Sequence, residues 1–161
     1  MRRAVVVLAI VGVLFVVVVP VGIWLMVRCQ PKQLPEISAY SNGQLTRVGP
    51  YTYCKVLNLN DCAEPGTIGV LPVTARSTVH LSVDNAIGRG LWSVLRLYDN
   101  PKDNGEDKFR PGTLAATIPT VGSAGGRLDQ LEIHLWTRAR TPGGEELFVA
   151  HGVWSVRIVW P

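Results

Sequence analysis

The chain has 161 residues, room for one folded domain beside a membrane segment, and a formal net charge of +4. Arg2, Arg3 and Arg28 flank an apolar stretch, and without them 13 basic residues face 12 acidic ones, so the rest of the chain is nearly neutral. Its Lys and Arg residues are scattered singly among acids from Lys32 to Arg157, without the basic stripe that nucleic-acid binding requires, and its aliphatic content argues against a disordered tail.

Residues 4–27 carry no charge and no strongly polar side chain. As a helix rising about 1.5 Å per residue they span roughly 36 Å, more than the ~30 Å hydrocarbon core of a bilayer. In lipid only a helix satisfies the backbone of such a segment, so its valines do not argue for a strand, and Pro20 is tolerated as a kink. Trp24 falls where an interfacial aromatic belongs. A cleaved signal peptide has an apolar run of only about 7–15 residues followed by small residues, whereas this run is longer and ends in Leu25-Met26-Val27-Arg28. The expectation is a lipid-embedded transmembrane helix over 4–27, with residues 1–3 cytoplasmic, 28–36 a tether and 37–161 an extracytoplasmic domain. Arg2, Arg3 and the terminal amine oppose Arg28 and Lys32, a modest bias toward an inside N-terminus. Gln30 to Glu36 is polar and contains Pro31 and Pro35, as suits an extended tether.

Cys54 and Cys62 lie close enough in sequence to close a short loop, with Asn58, Asn60 and Asp61 available for the turn, and a disulfide between them places the domain in an oxidising space. Two free core thiols are the alternative. A structural metal site would want four ligands, and no further Cys or nearby His completes the set. Cys29 is left over, as a free thiol or an intermolecular bridge.

Beyond the tether the apolar period is that of strands. Val79, Leu81 and Val83 alternate with Thr78, His80 and Ser82; Leu131, Ile133 and Leu135 alternate with Glu132, His134 and Trp136; and Trp154, Val156, Ile158 and Trp160 alternate with polar or smaller residues. Further strands are predicted at Ile37 to Tyr40, Gln44 to Val48, Tyr51 to Leu57, Thr67 to Val73, Leu91 to Tyr98, Thr113 to Ile118 and Glu146 to Ala150. Turn formers separate them, among them Asn42-Gly43, Pro65-Gly66, Asp84-Asn85, Asn104-Gly105 and Gly143-Gly144. With no soluble helix expected between the strands, the predicted fold is all-β: an antiparallel immunoglobulin-like β-sandwich, or alternatively a small β-barrel, preceded by one transmembrane helix. The cysteine pair is not that of a true immunoglobulin domain, whose bridge joins distant strands around a buried Trp.

No pattern in the chain specifies a catalytic, cofactor or metal site. His80 and His134 fall opposite the aliphatic stripes of their strands, and they and His151 read as ordinary solvated or edge residues; there is no Gly-x-Ser-x-Gly elbow and no His-Glu-x-x-His. The acidic loop from Asp99 to Asp107 fails as a calcium loop, because Pro101, Asn104 and Arg110 occupy the third, sixth and twelfth positions, and it reads as a solvated hairpin tip. Gly122 to Gly126 has the wrong spacing for a phosphate loop and reads as a flexible connection. Trp154 and Trp160 share an aliphatic strand face and are expected in the core. Trp136 shares the other face of its strand with Glu132 and His134, and these three form the candidate interaction surface.

The segments Pro35 to Tyr40, the Cys54 and Cys62 pair, Val79-His80-Leu81-Ser82-Val83, and Leu91-Trp92-Ser93-Val94 with Tyr98, following an N-terminal hydrophobic segment, resemble an uncharacterised family of exported or membrane-anchored actinobacterial proteins, best known from mycobacteria. The resemblance covers nearly all of the domain. It implies an envelope location in a bacterium with a lipid-rich wall, and it supplies no functional residues; Arg28 before Cys29 departs from lipoprotein relatives and argues against acylation. The expected function is a non-enzymatic envelope module that docks on a membrane protein complex or transporter, the alternative a carrier or sensor of an apolar envelope molecule.

Overall fold

The structure, a computed structural model, describes residues 12, 15–26, 34–140 and 144–161. The chain divides into two compact units, Met1–Gln33 and Leu34–Pro161. In the first, helix α1 is described over residues 15–26, and its side chains, among them Phe15, Val18, Ile23 and Met26, are exposed on every side. Among the described residues no helix is long and apolar enough to cross a membrane. Much of the expected span, residues 4–11, 13–14 and 27, lies outside the described residues, as does the tether from 28 to 33.

In the second unit the chain runs through β1 (Ile37–Ser41), β2 (Gln44–Val48), β3 (Thr52–Lys55), β4 (Asn58–Ala63), β5 (Ile68–Pro72), β6 (Thr78–Val83), α2 (Asn85–Gly88), β7 (Leu91–Tyr98), β8 (Gly105–Phe109), β9 (Ala115–Pro119), β10 (Leu128–Arg140) and β11 (Glu146–Val159). Two sheets form, one in the order β2-β1-β6-β9 and one in the order β4-β3-β11-β10-β7-β8, with β5 also on β11. They share one core, to which the first contributes Ile37, Ala39, Val79 and Leu81 and the second Trp92, Val94, Leu131, Ile133, Trp154 and Val156. The alternation read in Thr78–Val83 is realised: Val79, Leu81 and Val83 are buried, and Thr78, His80 and Ser82 are exposed. The β1–β2 hairpin turns on Asn42 and Gly43 at φ 47° and 77°, the left-handed pair that matches the twist of two joined strands.

Several expectations change. The sheets are antiparallel except that β5 pairs parallel with Ser155 to Val159 of β11. The reason lies in the preceding hairpin: β3 pairs antiparallel with β11, so β4, returning from it, already runs along β11, and the chain crosses to the edge of β11 beyond Thr52. Strands β4 and β8 were not expected, the last two predicted strands are one continuous β11, and the four-residue helix α2 is capped by Asp84, whose side chain accepts from the Ala86 N–H. The sheet orders differ from the ABED and CFG pairing of an immunoglobulin domain. Among the described residues there is no closed barrel: β2 and β5 approach closely, with Thr46 Oγ1 donating to the Val70 carbonyl at 2.7 Å, but no backbone ladder joins the two sheets. Cys54 and Cys62 are bonded, directly opposite one another on β3 and β4, so the bridge pins one hairpin and not two sheets.

The acidic loop and the glycine loop are one structure. Asp103, in a 3₁₀ turn at Pro101–Asp103, accepts from the Ala124 and Gly126 N–H groups, both at 2.8 Å, and from Ser123 Oγ at 3.2 Å. A Cβ at Gly122 or Gly126 would meet Asp103 or Asn100 at under 3 Å, so the glycines serve close approach and not the flexibility expected of them. The Ala124 N–H leads in holding the Asp103 carboxyl below its ordinary value, partial burial opposes it, and Gly126 and Ser123 add to the lowering.

Two outcomes follow. A Cβ at Gly69 would meet Val48 Cγ2 at 2.2 Å, where the two sheets approach, so Gly69→Ala is expected to destabilise the fold by about 1–3 kcal/mol in urea unfolding. A carboxyl with a lowered folded-state pKa stabilises above its unfolded pKa and loses that contribution as pH falls through the folded value. Asp103→Asn is therefore expected to lower the melting temperature at neutral pH, and the gap to the parent should close as the solution is acidified.

Candidate interaction face

Alternation along β10 sends Leu131, Ile133 and Leu135 into the core and sets Gln130, Glu132, His134 and Trp136 in a row on the outer face of the larger sheet. The row is linked along its length. Gln130 Nε2 donates to Glu132 Oε1 at 2.8 Å and to Ser155 Oγ on β11 at 3.2 Å. His134 Nε2 lies 3.6 Å from Glu132 Oε2, and the His134 and Trp136 rings meet edge to face with centroids 5.9 Å apart. Trp136 donates its indole N–H to Ser93 Oγ on β7 at 2.8 Å. The structure thus brings the three predicted surface residues together on one face, each half-buried.

Their neighbours are apolar. Leu91, Leu95 and Leu97 of β7 share this outer face, each half-buried. One depression of about 320 Å³ is lined by Tyr51, Ile68, Gln130, Glu132, Val153 and Ser155, and another of about 230 Å³ by Leu91, Lys108, Trp136 and Phe148. Glu132 borders the first and Trp136 the second. The sequence reading missed Leu91 and Phe148; the signal for Phe148 was the run Leu147-Phe148-Val149, which is apolar on both faces of a strand.

The other candidates stand elsewhere. His80, on the exposed face of the smaller sheet, lies 3.2 Å from Thr78 Oγ1 and 3.4 Å from Thr117 Oγ1. Ser93 sits opposite His134 in the β7–β10 register, but it is fully buried and its oxygen accepts from Trp136. Among the described residues no group of three His, Cys, Asp or Glu is placed to hold a metal. Trp154 is fully buried as expected, donating to the Pro35 carbonyl, whereas Trp160 only flanks the core and carries Arg127 over its ring at 5.3 Å.

His151 corrects its expectation: it is buried and not solvated. Leu135 pairs with Gly152 and Trp136 with Ala150, so His151 is the extra residue of a β-bulge, and its ring packs against Tyr53 with centroids 5.8 Å apart. Burial pushes its pKa below the ordinary 6.5, and a hydrogen bond with the Leu135 backbone opposes that shift.

The molecule is a two-sheet β protein with a pinned hairpin and one outward aromatic and polar row. The chain belongs to the DUF2771 family of proteins of unknown function, whose family model matches residues 30–159. It is 45% identical over 162 residues to the uncharacterized protein Rv0875c of Mycobacterium tuberculosis, across 99% of this chain and all of that protein. It matches the uncharacterized protein Mb0899c of Mycobacterium bovis to the same extent. The resemblance to uncharacterised mycobacterial proteins therefore holds. No solved structure matches the chain.

The bulge generates a pH prediction. A buried histidine with a lowered pKa is neutral in the fold, so below its ordinary pKa the unfolded chain binds the extra proton and gains relative stability. Melting temperature is expected to fall as pH drops from 6.5 to about 5, ahead of most carboxylate titration, and His151→Gln should flatten that slope.

Proposed function

We propose that this chain is a membrane-anchored module of the cell envelope, non-enzymatic, whose outer β10 face docks on a membrane protein complex or transporter. In this reading residues 1–3 are cytoplasmic, 4–27 cross the cytoplasmic membrane, 28–36 form the tether and 37–161 lie outside. Three observations support the placement. The apolar run is long enough to span, the described part of α1 is apolar and exposed on every side, and the Cys54–Cys62 bridge suits an oxidising compartment.

The observation that carries the docking reading is Trp136. Its one polar atom is already satisfied by Ser93 within the fold, so covering its ring strands no donor. It stands between apolar Leu91 and Phe148 on one side and the His134–Glu132–Gln130 row on the other. Interface energy concentrates in such arrangements, a large aromatic anchor bordered by oriented polar groups. A carrier holding an apolar molecule between the sheets needs tryptophans lining a cavity. Trp92 and Trp154 are instead at zero exposure, with their N–H groups donating to the Thr113 and Pro35 carbonyls, so the docking reading is the one favoured.

A photo-crosslinking side chain in place of Trp136, in the intact protein in its native membrane, is expected to give a discrete adduct with one integral membrane protein. The same group in place of His80, on the opposite sheet, should give none. Leu91→Asp beside the labelled site should reduce the adduct by about an order of magnitude, as the loss of a well-packed apolar contact predicts. Equal labelling from both positions, or recovery of only abundant bystanders, would reject docking through this face.

A further inference from the structure

The larger sheet is longer than the smaller one, and its excess lies at one end. Beyond Trp136, which still pairs with Leu91 of β7, and its partner Ala150, β10 and β11 continue as a two-stranded arm through Arg140 and Glu146. Four residues on each strand at about 3.3 Å apiece make an overhang of roughly 13 Å. The β3–β4 hairpin points the same way, because Tyr53 pairs with Gly152 and β3 runs antiparallel to β11 from there toward its tip at Val56 and Leu57.

Both arms carry exposed apolar residues, of which Phe148 has the Arg138 guanidinium over one part of its ring at 5.7 Å. Leu57 is 101% exposed, and Val56, Leu147 and Phe148 are each at least half exposed. The register explains the β11 arm: Val149 and Leu147 lie opposite Thr137 and Ala139, which continue the core face past the point where the smaller sheet ends, while Phe148 lies on the outer face with Trp136. An arm apolar on both faces cannot hide either by folding down.

The domain's own first residues enter at this end. The Pro35 carbonyl accepts from Trp154, whose ring leans back toward Gly152, and the Glu36 carbonyl accepts from the Asp84 N–H just before α2. From Val27 to Leu34 the chain can reach at most about 25 Å even when fully extended. That reach exceeds the overhang, so the tether lets both hairpin tips meet a bilayer holding residues 4–27. The charges on the arms balance: Lys55, Arg138 and Arg140 are matched by Asp61, Glu145 and Glu146, with Lys55 paired to Asp61 and both arginines near Glu146.

We infer that the two hairpin tips are a second membrane contact: Val56, Leu57, Leu147 and Phe148 dip into the headgroup and acyl boundary of the bilayer that holds the anchor. The inference rests on the anchored reading above. The disulfide keeps the β3–β4 arm paired at its tip, and the balanced charge makes the contact apolar and not electrostatic.

The test uses the full chain with Cys29→Ser, reconstituted in phosphatidylcholine vesicles, with a nitroxide at Phe148→Cys or Leu147→Cys and, as the comparison, at Ile68→Cys, an exposed apolar site on β5. Collision with oxygen relative to a water-soluble nickel chelate is expected to be several-fold higher at 148 and 147 than at 68. It should be unchanged by 0.5 M salt, roughly a fivefold excess over an ionic strength that already screens exposed charges. Leu57→Asp on the other hairpin should lower it. A label at 148 as aqueous as that at 68, in protein that still floats with the vesicles, overturns the contact and leaves the anchor standing. A chain that does not float overturns both. A label shielded from both reagents means that protein covers the arm, and this also overturns the contact.

Discussion

The β10–β11 hairpin is the constraint on which the larger sheet depends. β11 pairs with β10, β3 and β5, and β10 with β7, so that β4 and β8 are registered only through strands that the hairpin has already placed. Its inner face supplies Leu131, Ile133, Leu135, Trp154 and Val156 to the core, and its outer face carries Gln130, Glu132, His134 and Trp136. Core and candidate site are therefore two sides of one register. A slip by one residue would exchange them, burying a carboxylate and an imidazole while exposing leucines. Two sheets closing on one side of the hairpin fix that register.

The bulge at His151 is the exception within this order, and it has a structural consequence. One extra residue on β11 reverses the facing of everything toward the turn, so Ala150 and Phe148 join Trp136 on the outer face while Val149 and Leu147 continue the inner one. The cost is a buried imidazole with no hydrogen-bond partner at Nδ1. The result is an aromatic, Phe148, placed beside Trp136 across the depression that Leu91 and Lys108 complete. Buried histidine and outward aromatic site thus have one cause.

At the opposite end of β7, order comes from polar groups. Asp103 clasps the Gly122 to Gly126 loop, Asp99 Oδ1 accepts from the Arg127 N–H at 2.7 Å, and Tyr98 donates to the Pro119 carbonyl at 2.9 Å. These bonds hold the connection between β9 and β10. The domain accordingly has a polar, closed end and an apolar, open end, and its first residues enter at the open one.

Much of this was legible in local sequence. The alternation in Thr78–Val83 and Leu131 to Trp136 assigned both strands and their faces, because a strand places successive side chains on opposite sides whatever its partner. Asn42-Gly43 specified a hairpin by its φ preferences, and Cys54 with Cys62 specified a short bridged loop by proximity. The sequence also determined the long apolar run at the N-terminus and the nearly neutral charge of the rest. The tertiary structure alone decided the parallel β5, the sheet orders, the burial of His151, the clasp around Asp103 and the exposed arms at Val56 to Leu57 and Leu147 to Phe148. Each of these depends on which strand lies alongside or where the opposite sheet stops, and those are contacts between residues far apart in the chain, which no local period encodes.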